Sequence, residues 1–248
     1  MKKKGLITLF VVIGIVVVVA IVGVGYIATK GGIGGTFKGP EELKNLEESI
    51  EDCILNQAIK GIWLAGMQGG YITSPIPDSI ETPFSTTPFG LKDGKNILLS
   101  KKIIEKEISN HVSQALPFCY QPIGTNYVLE NEDPKVEVKI YDDYIKIISK
   151  MPIYAVSDSV NYKLNKEYNV DIPIRLGYIH DLSTQMIDRQ IKEKEFVPIS
   201  YLSQFDTEII FDYHSDDIVY YMIHDEKSKV NNVTFNFLFA CELVKDGK

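Results

Sequence analysis

Twenty-two consecutive residues, Leu6 to Ile27, carry no charge, and nothing else in the chain constrains its folding as tightly. At a rise of ~1.5 Å per residue, a helix of that length is roughly 33 Å long, enough for a hydrocarbon core of ~30 Å. The eight valines and five isoleucines of the run would weigh against a helix in water, because branching at Cβ stiffens the side chain. In lipid every backbone N–H and C=O must be satisfied internally, so the helix forms regardless. A secretory apolar core is shorter, about 7–15 residues, and ends in a small-x-small cleavage site. Here Tyr26-Ile27-Ala28 places a bulky ring where a small residue is needed. The run therefore predicts a retained transmembrane helix over 6–28. Gly14, Gly23 and Gly25 do not form a GxxxG pair, so nothing specific favours dimerisation of that helix.

Lys2, Lys3 and Lys4 precede the span. Basic residues stay on the cytoplasmic side, so residues 1–5 are expected inside and the rest of the chain outside. The glycine-rich stretch Gly31-Gly32-Ile33-Gly34-Gly35 lacks the preceding strand and the Lys-Ser/Thr ending of a phosphate-binding loop. It reads as a flexible spacer over 29–39. Residues 40–248 then form one extracytoplasmic domain. A net charge of −7 and a pI near 5.2 argue against nucleic acid as a partner, since phosphate backbones call for a basic face.

The outer domain should open with a helix that begins near Pro40 and runs until Gly69-Gly70. Pro40 suits a first helical position, and Glu41 and Glu42 favour the positive helix end. Leu43, Leu46, Ile50, Cys53, Ile54 and Ala58 recur at three-and-four spacing, and Gly69-Gly70 stops the run. Trp63, the single tryptophan, reads as core. The segment Tyr71–Asn96 holds four prolines and many Ser and Thr residues, which argues against central strands. It is expected to be an ordered cover over the helix end that packs on Trp63. Tyr71, Phe84 and Phe89 are its candidate interaction residues.

A second helix is expected from Lys101 to Leu116, capped by Ser100 and ended by Pro117. Alternation on both sides of Asp142-Asp143 predicts a hairpin, with Pro152 kinking or ending its second strand. VNYKL and YNVDIPIRL continue the meander. A third helix follows over 177–194, and TEIIFDY, DIVYYMI and VTFNFLFA complete the strands. The fold class is α+β: a two-layer domain of helices on an antiparallel meander sheet.

Cys53, Cys119 and Cys241 allow three pairings. Cys53 lies mid-helix and Cys119 just past the second helix, so a staple between them is preferred, leaving Cys241 as a buried thiol. Cys119 as a nucleophile with His111 as base is the competing reading, without an orienting third group. Asp212, His214, Asp216 and Asp217 offer weak metal-ligand candidates, although a turn between strands favours the same residues for geometry alone. No cofactor motif is present: HExxH, CxxC, GxSxG and the phosphate-binding loop are all missing from the sequence. Asn232-Val233-Thr234 is a glycosylation sequon.

Two resemblances can be stated on these residues. The TLF-containing anchor, the helix bearing Cys53, Gly66-x-Gln68-Gly69-Gly70-Tyr71-Ile72 and Pro75, with Pro117-Phe118-Cys119, Ile172-Pro173-Ile174-Arg175-Leu176-Gly177 and Val233-Thr234-Phe235-Asn236-Phe237, resemble a group of uncharacterised single-pass membrane-anchored archaeal proteins. The resemblance spans most of the chain and implies an anchored cell-envelope domain without a defined activity. Separately, Lys3-Lys4-Gly5 followed by Leu6 resembles the processing site of archaeal type IV pilin precursors, which are cut after the glycine. Phe10 stands where many pilins carry glutamate. The expected function is thus an envelope interaction or structural protein, with the membrane, other envelope proteins or its own copies as partners. The alternatives are a pilin-like filament subunit and, last, an envelope hydrolase lacking a linear motif.

Overall fold

The computed structural model describes residues 40–120, 128–131, 134–157, 160–193 and 197–243. The predicted segments 1–5, 6–28 and 29–39, with Gly5 and Leu6, lie outside these. Among the described residues no helix is long and apolar enough to cross a membrane.

The chain is α+β, as its patterning predicts. Helix α1 spans Pro40–Met67. Ile50, Ile54, Ala58, Ile62 and Ala65 line its fully buried face, at the spacing that puts residues on one side of a helix. Helix α2 spans Lys101–Ala115 and packs on α1 through Ile104, Ile108 and Val112, all fully buried. Ser100 occupies its N-cap position, but its hydroxyl caps nothing there; its carbonyl takes the first helical amides, from Ile103 and Ile104. Pro117 follows at once, within a 3₁₀ turn over Leu116–Tyr120. Helix α3 spans Leu176–Lys192, and a short α4, Ile199–Leu202, had no counterpart in the sequence reading.

The strands do not form one meander. The larger sheet has the order β1-β2-β10-β9-β8, with β3 paired to β2. Here β1 is Ser79–Glu81, β2 Thr86–Lys92, β3 Lys95–Asn96, β8 Glu208–Ser215, β9 Ile218–Val230 and β10 Val233–Glu242. Strand β10 is antiparallel to β9 and parallel to β2, where Ala240 faces Phe89 and Cys241 faces Leu91. The expectation that the prolines of 71–96 exclude a central strand is therefore overturned by β2. Its Pro88 is opposite Ser79 of short β1, and the pairing to β10 begins only at Phe89. The missing N–H thus costs the central ladder nothing.

The second sheet is antiparallel throughout and centres on β6, Ile145–Ser157. Strand β7, Val160–Ile172, pairs along its whole length. The opposite edge is shared end to end by β5, Lys135–Ile140, and β4, Val128–Asn131. The hairpin around Asp142-Asp143 is as expected. Pro152, expected to kink or end the strand, does neither. It falls between the register of β5, which ends at Lys150, and that of β4, which begins at Ile153, so only β7 flanks it there, with Asn165 opposite.

One hydrophobic core joins the two sheets and three long helices. Phe235, Phe237 and Phe239 point inward from β10 and are fully buried, with Val219, Tyr221 and Ile223 beside them on β9. Burial of each ring contributes roughly 1.5–3 kcal/mol. Helix α1 crosses β10 so closely that a Cβ on Gly66 would lie 2.3 Å from the Asn236 carbonyl oxygen. Trp63, half-buried, rests on Phe235 with ring centroids 5.6 Å apart; β10 of the sheet, rather than the loop, supplies this partner. Cys53 and Cys119 are joined by a disulfide, and Cys241 is a buried free thiol.

Candidate functional site

Helix α1 ends where Gly69 and Gly70 adopt φ of +56° and +102°, values that any side chain would strain. The Gly70 amide closes back on the Ala65 carbonyl at 2.6 Å, and the Ser85 hydroxyl reaches across to donate to the Met67 carbonyl at 2.6 Å. The segment after the helix therefore satisfies its orphan carbonyls.

The same segment is held from below by Glu107 of α2, which is only 3% exposed. Its Oε2 accepts the backbone amides of Ile72 at 3.0 Å, Thr73 at 2.6 Å and Ser74 at 3.0 Å, and the Thr73 hydroxyl at 3.0 Å. Its Oε1 accepts the Ser74 hydroxyl. Burial alone would raise the carboxyl pKa; the Ser74 hydroxyl and the three amides outweigh it and hold the group at about 2. An internal carboxylate thus fills a concave run of N–H groups that elsewhere would suit an anion.

Fixed at both points, the segment presents a rigid outer rim. Thr82 ties the β1–β2 turn by accepting the amides of Phe84 and Ser85 and donating to the Ser85 carbonyl. At its tip Phe84 is 50% exposed, and Leu64 is 41% exposed one turn before the helix end that Ser85 caps. The other two candidates are less available. Tyr71 is half-buried, and burial, then Asp78 and Glu107, raise its pKa. Phe89 packs on the small cluster of Ile80, Tyr220 and Ala240, with Lys92 over its ring.

A second constellation was not anticipated. Between Thr234 and Phe235 the register of β10 against β9 jumps from Lys229 to Asp225, so 226–228 bulge out. The bulge folds Ser228 back onto Asp225, which is fully buried. Arg175, just before α3, donates to Asp225 through Nε at 3.0 Å and Nη2 at 2.6 Å, while its backbone amide donates to the Ser228 hydroxyl at 2.8 Å. The guanidinium also lies 4.5 Å over the Tyr178 ring. Tyr178 donates to Asp206 at 2.7 Å, and Lys227 pairs with the same carboxylate. Burial would raise the Asp225 pKa, yet bonds from Arg175 and Ser228 bring it below the usual carboxylate range. Burial and the bond to Asp206 push Tyr178 up to about 12, and Lys227 and Tyr178 hold Asp206 at about 2. These charges are matched to one another, so the network clamps α3 to the sheet; it presents no activated base.

The remaining candidates are dispersed. Asp212 and Asp217 serve the β8–β9 hairpin: Asp212 accepts its neighbour's amide and the Tyr220 hydroxyl, and Asp217 accepts the Ser215 hydroxyl. His214 and Asp216 are exposed beside them. Among the described residues no three His, Cys, Asp or Glu side chains gather as a metal would require. Cys119 is oxidised to a disulfide and so has no thiol to act as the expected alternative nucleophile; His111 instead packs on Gly61 of α1, and burial lowers its pKa. An open cleft of about 310 Å³ between α1 and β7 is lined by Glu48, Glu51, Asp52 and Asp171. Asn232 lies at the exposed β9–β10 turn. Compared with known proteins, the chain matches no family model, no curated protein and no solved structure.

Proposed function

We propose that this is an interaction module of the cell envelope, held at the outer face of the membrane by the helix expected over 6–28. The observation that carries the binding reading is Phe84. It is half-exposed, close to the α1 end where Leu64 is also exposed, and it sits on a turn made rigid by Thr82 and by the Ser85 bond to Met67. Rigid aromatic anchors lose little entropy on binding. The Cys53–Cys119 disulfide supports an oxidising, extracytoplasmic address, and the lysines before the span support the outward orientation. The resemblance to anchored archaeal envelope proteins fits the same placement.

The test uses whole cells. A photo-crosslinking residue at position 84 is expected to capture a discrete protein adduct that the same residue at exposed Asp188 of α3 does not. Equal capture at both positions, or at neither, refutes the contact surface. Protease added to intact cells should remove the domain; resistance until the membrane is opened refutes the orientation. A second reading, the filament subunit, rests on Lys3-Lys4-Gly5-Leu6. Mass determination of the mature N-terminus separates the two: loss of Met1–Gly5 favours the filament, and retention favours a plain anchor.

A further inference from the structure

We propose that Asn232 is an attachment site for an N-linked glycan, taken from a lipid-phosphate-linked oligosaccharide donor. Of the twelve asparagines in the chain, only Asn232 is followed by the x-Ser/Thr pattern, as Asn232-Val233-Thr234. The fold places that single sequon where a bulky sugar can be carried. Strands β9 and β10 are joined by a two-residue turn, Asn231-Asn232, with φ of +52° and +64°. Both signs are required by the tight hairpin turn that matches strand twist, and asparagine tolerates them best after glycine. A turn of this kind would be equally served by Asn-Gly, so the geometry explains asparagine but not the threonine two positions on.

Exposure supplies the second argument. Asn231, Asn232 and Val233 are all exposed, Val233 at 55%. The Asn232 side chain has no hydrogen-bond partner among the described residues. Conjugation therefore sacrifices no contact, and a sugar at this position would screen the apolar Val233 from water. Asn236, two strand positions beyond Thr234, shows the contrast: it is half-buried, and its side chain is hydrogen-bonded to His224 at 2.7 Å.

The chemistry balances without a redox partner. The Asn232 amide nitrogen forms a bond to the anomeric carbon of the donor, the bond from that carbon to the phosphate oxygen breaks, and the lipid phosphate leaves with the electron pair. The amide gives up one proton to solvent. The product is a secondary amide carrying the glycan.

The proposal rests on the outward-facing reading, so its test includes a control for that reading. The full-length chain is produced in a cell whose outer surface carries N-glycosylated proteins, and its peptides are analysed by mass. A parallel chain carries Gly94→Asn with Asn96→Thr in addition. This creates a second sequon in the β2–β3 turn, where Asp93 and Gly94 have φ of +50° and +69° and a Cβ at Gly94 meets nothing within 4 Å. The expected result is glycan mass on the Asn232 peptide, lost in Asn232→Gln and kept in Thr234→Ser, with the control site also occupied. An unmodified Asn232 beside an occupied control site overturns the inference while leaving the orientation intact. Two unmodified sites overturn the orientation and the inference together.

Discussion

Replacing Glu107 with glutamine should loosen the segment that follows α1, and the structure sets the size of the effect. The carboxylate accepts five hydrogen bonds and is 3% exposed. Its pKa falls from 4.5 to about 2 on folding. At ~1.4 kcal/mol per unit, that difference contributes about 3 kcal/mol at neutral pH. The sign follows from the direction of the shift. A depressed carboxyl pKa stabilises above the unfolded value, so the contribution is complete above about pH 5 and is lost as pH falls through 4.5 toward 2. Glutamine keeps one oxygen but turns two N–H groups toward a site already crowded with donors. Glu107→Gln should therefore lower stability by about 3 kcal/mol at pH 7, or roughly 6–12 °C in Tm for a domain of this size. Urea unfolding of both proteins at pH 7, 5 and 3 measures the gap, which should narrow at the lowest pH. Amide exchange at Ile72, Thr73 and Ser74 should accelerate in the variant. A loss below about 0.5 kcal/mol at pH 7, or a gap of equal size at pH 7 and pH 3, would refute the reasoning.

Three other perturbations test other parts of the fold. Reducing the Cys53–Cys119 bond, which closes 66 residues, should cost about 4 kcal/mol on the chain-entropy account; an unchanged Tm with both thiols shown to be free would contradict it. Asp225→Asn should cost about 3–5 kcal/mol by stranding Arg175, and an Arg175→Met, Asp225→Leu double variant should recover much of that loss; a double variant less stable than the single one would assign the network a role beyond charge balance. Gly66→Ala should cost upwards of about 2 kcal/mol, because its Cβ meets backbone oxygen rather than a yielding side chain; denaturation within error of the parent would mean that α1 can lift from β10.

The elements that were legible in the sequence owe their form to local chemistry. The stripe from Ile50 to Ala58 marks α1, the glycine pair marks its end, and the alternation around Asp142-Asp143 marks the β5–β6 hairpin. The disulfide followed from two helix-associated cysteines. What escaped was decided at long range. Nothing local to Thr86–Lys92 announces a parallel partner some 150 residues onward, and the proline that argues against a strand is harmless only because of where β1 and β10 meet it. Pro152 is tolerated for a similar reason on β6. The Arg175 network did leave a trace. Counting inward positions along β9 from Val219, Tyr221 and Ile223 arrives at Asp225, and an acid on the core side of a strand demands a cation. Only two arginines occur in the chain, which narrows the search to one residue near a helix start.

The parallel union of β2 with β10 also sets the order in which the molecule can be assembled. Strand β10 is the inner neighbour of both β2 and β9, and its phenylalanines form the floor on which α1 rests. A chain leaving a ribosome or a translocation channel can form α1, α2 and even their disulfide early, since those contacts span tens of residues. It has nowhere to bury the face of α1 beyond that pairing, nor the inner edge of β2, until position 242 has emerged. Closing so long a loop is slow, and apolar surface stays open meanwhile. The larger sheet, and the face of α1 that it covers, is therefore completed in one late step. A nascent chain stalled short of β10 should leave α1 and β2 open to protease even with the helices covalently stapled, while the sheet of β4–β7 can already be paired.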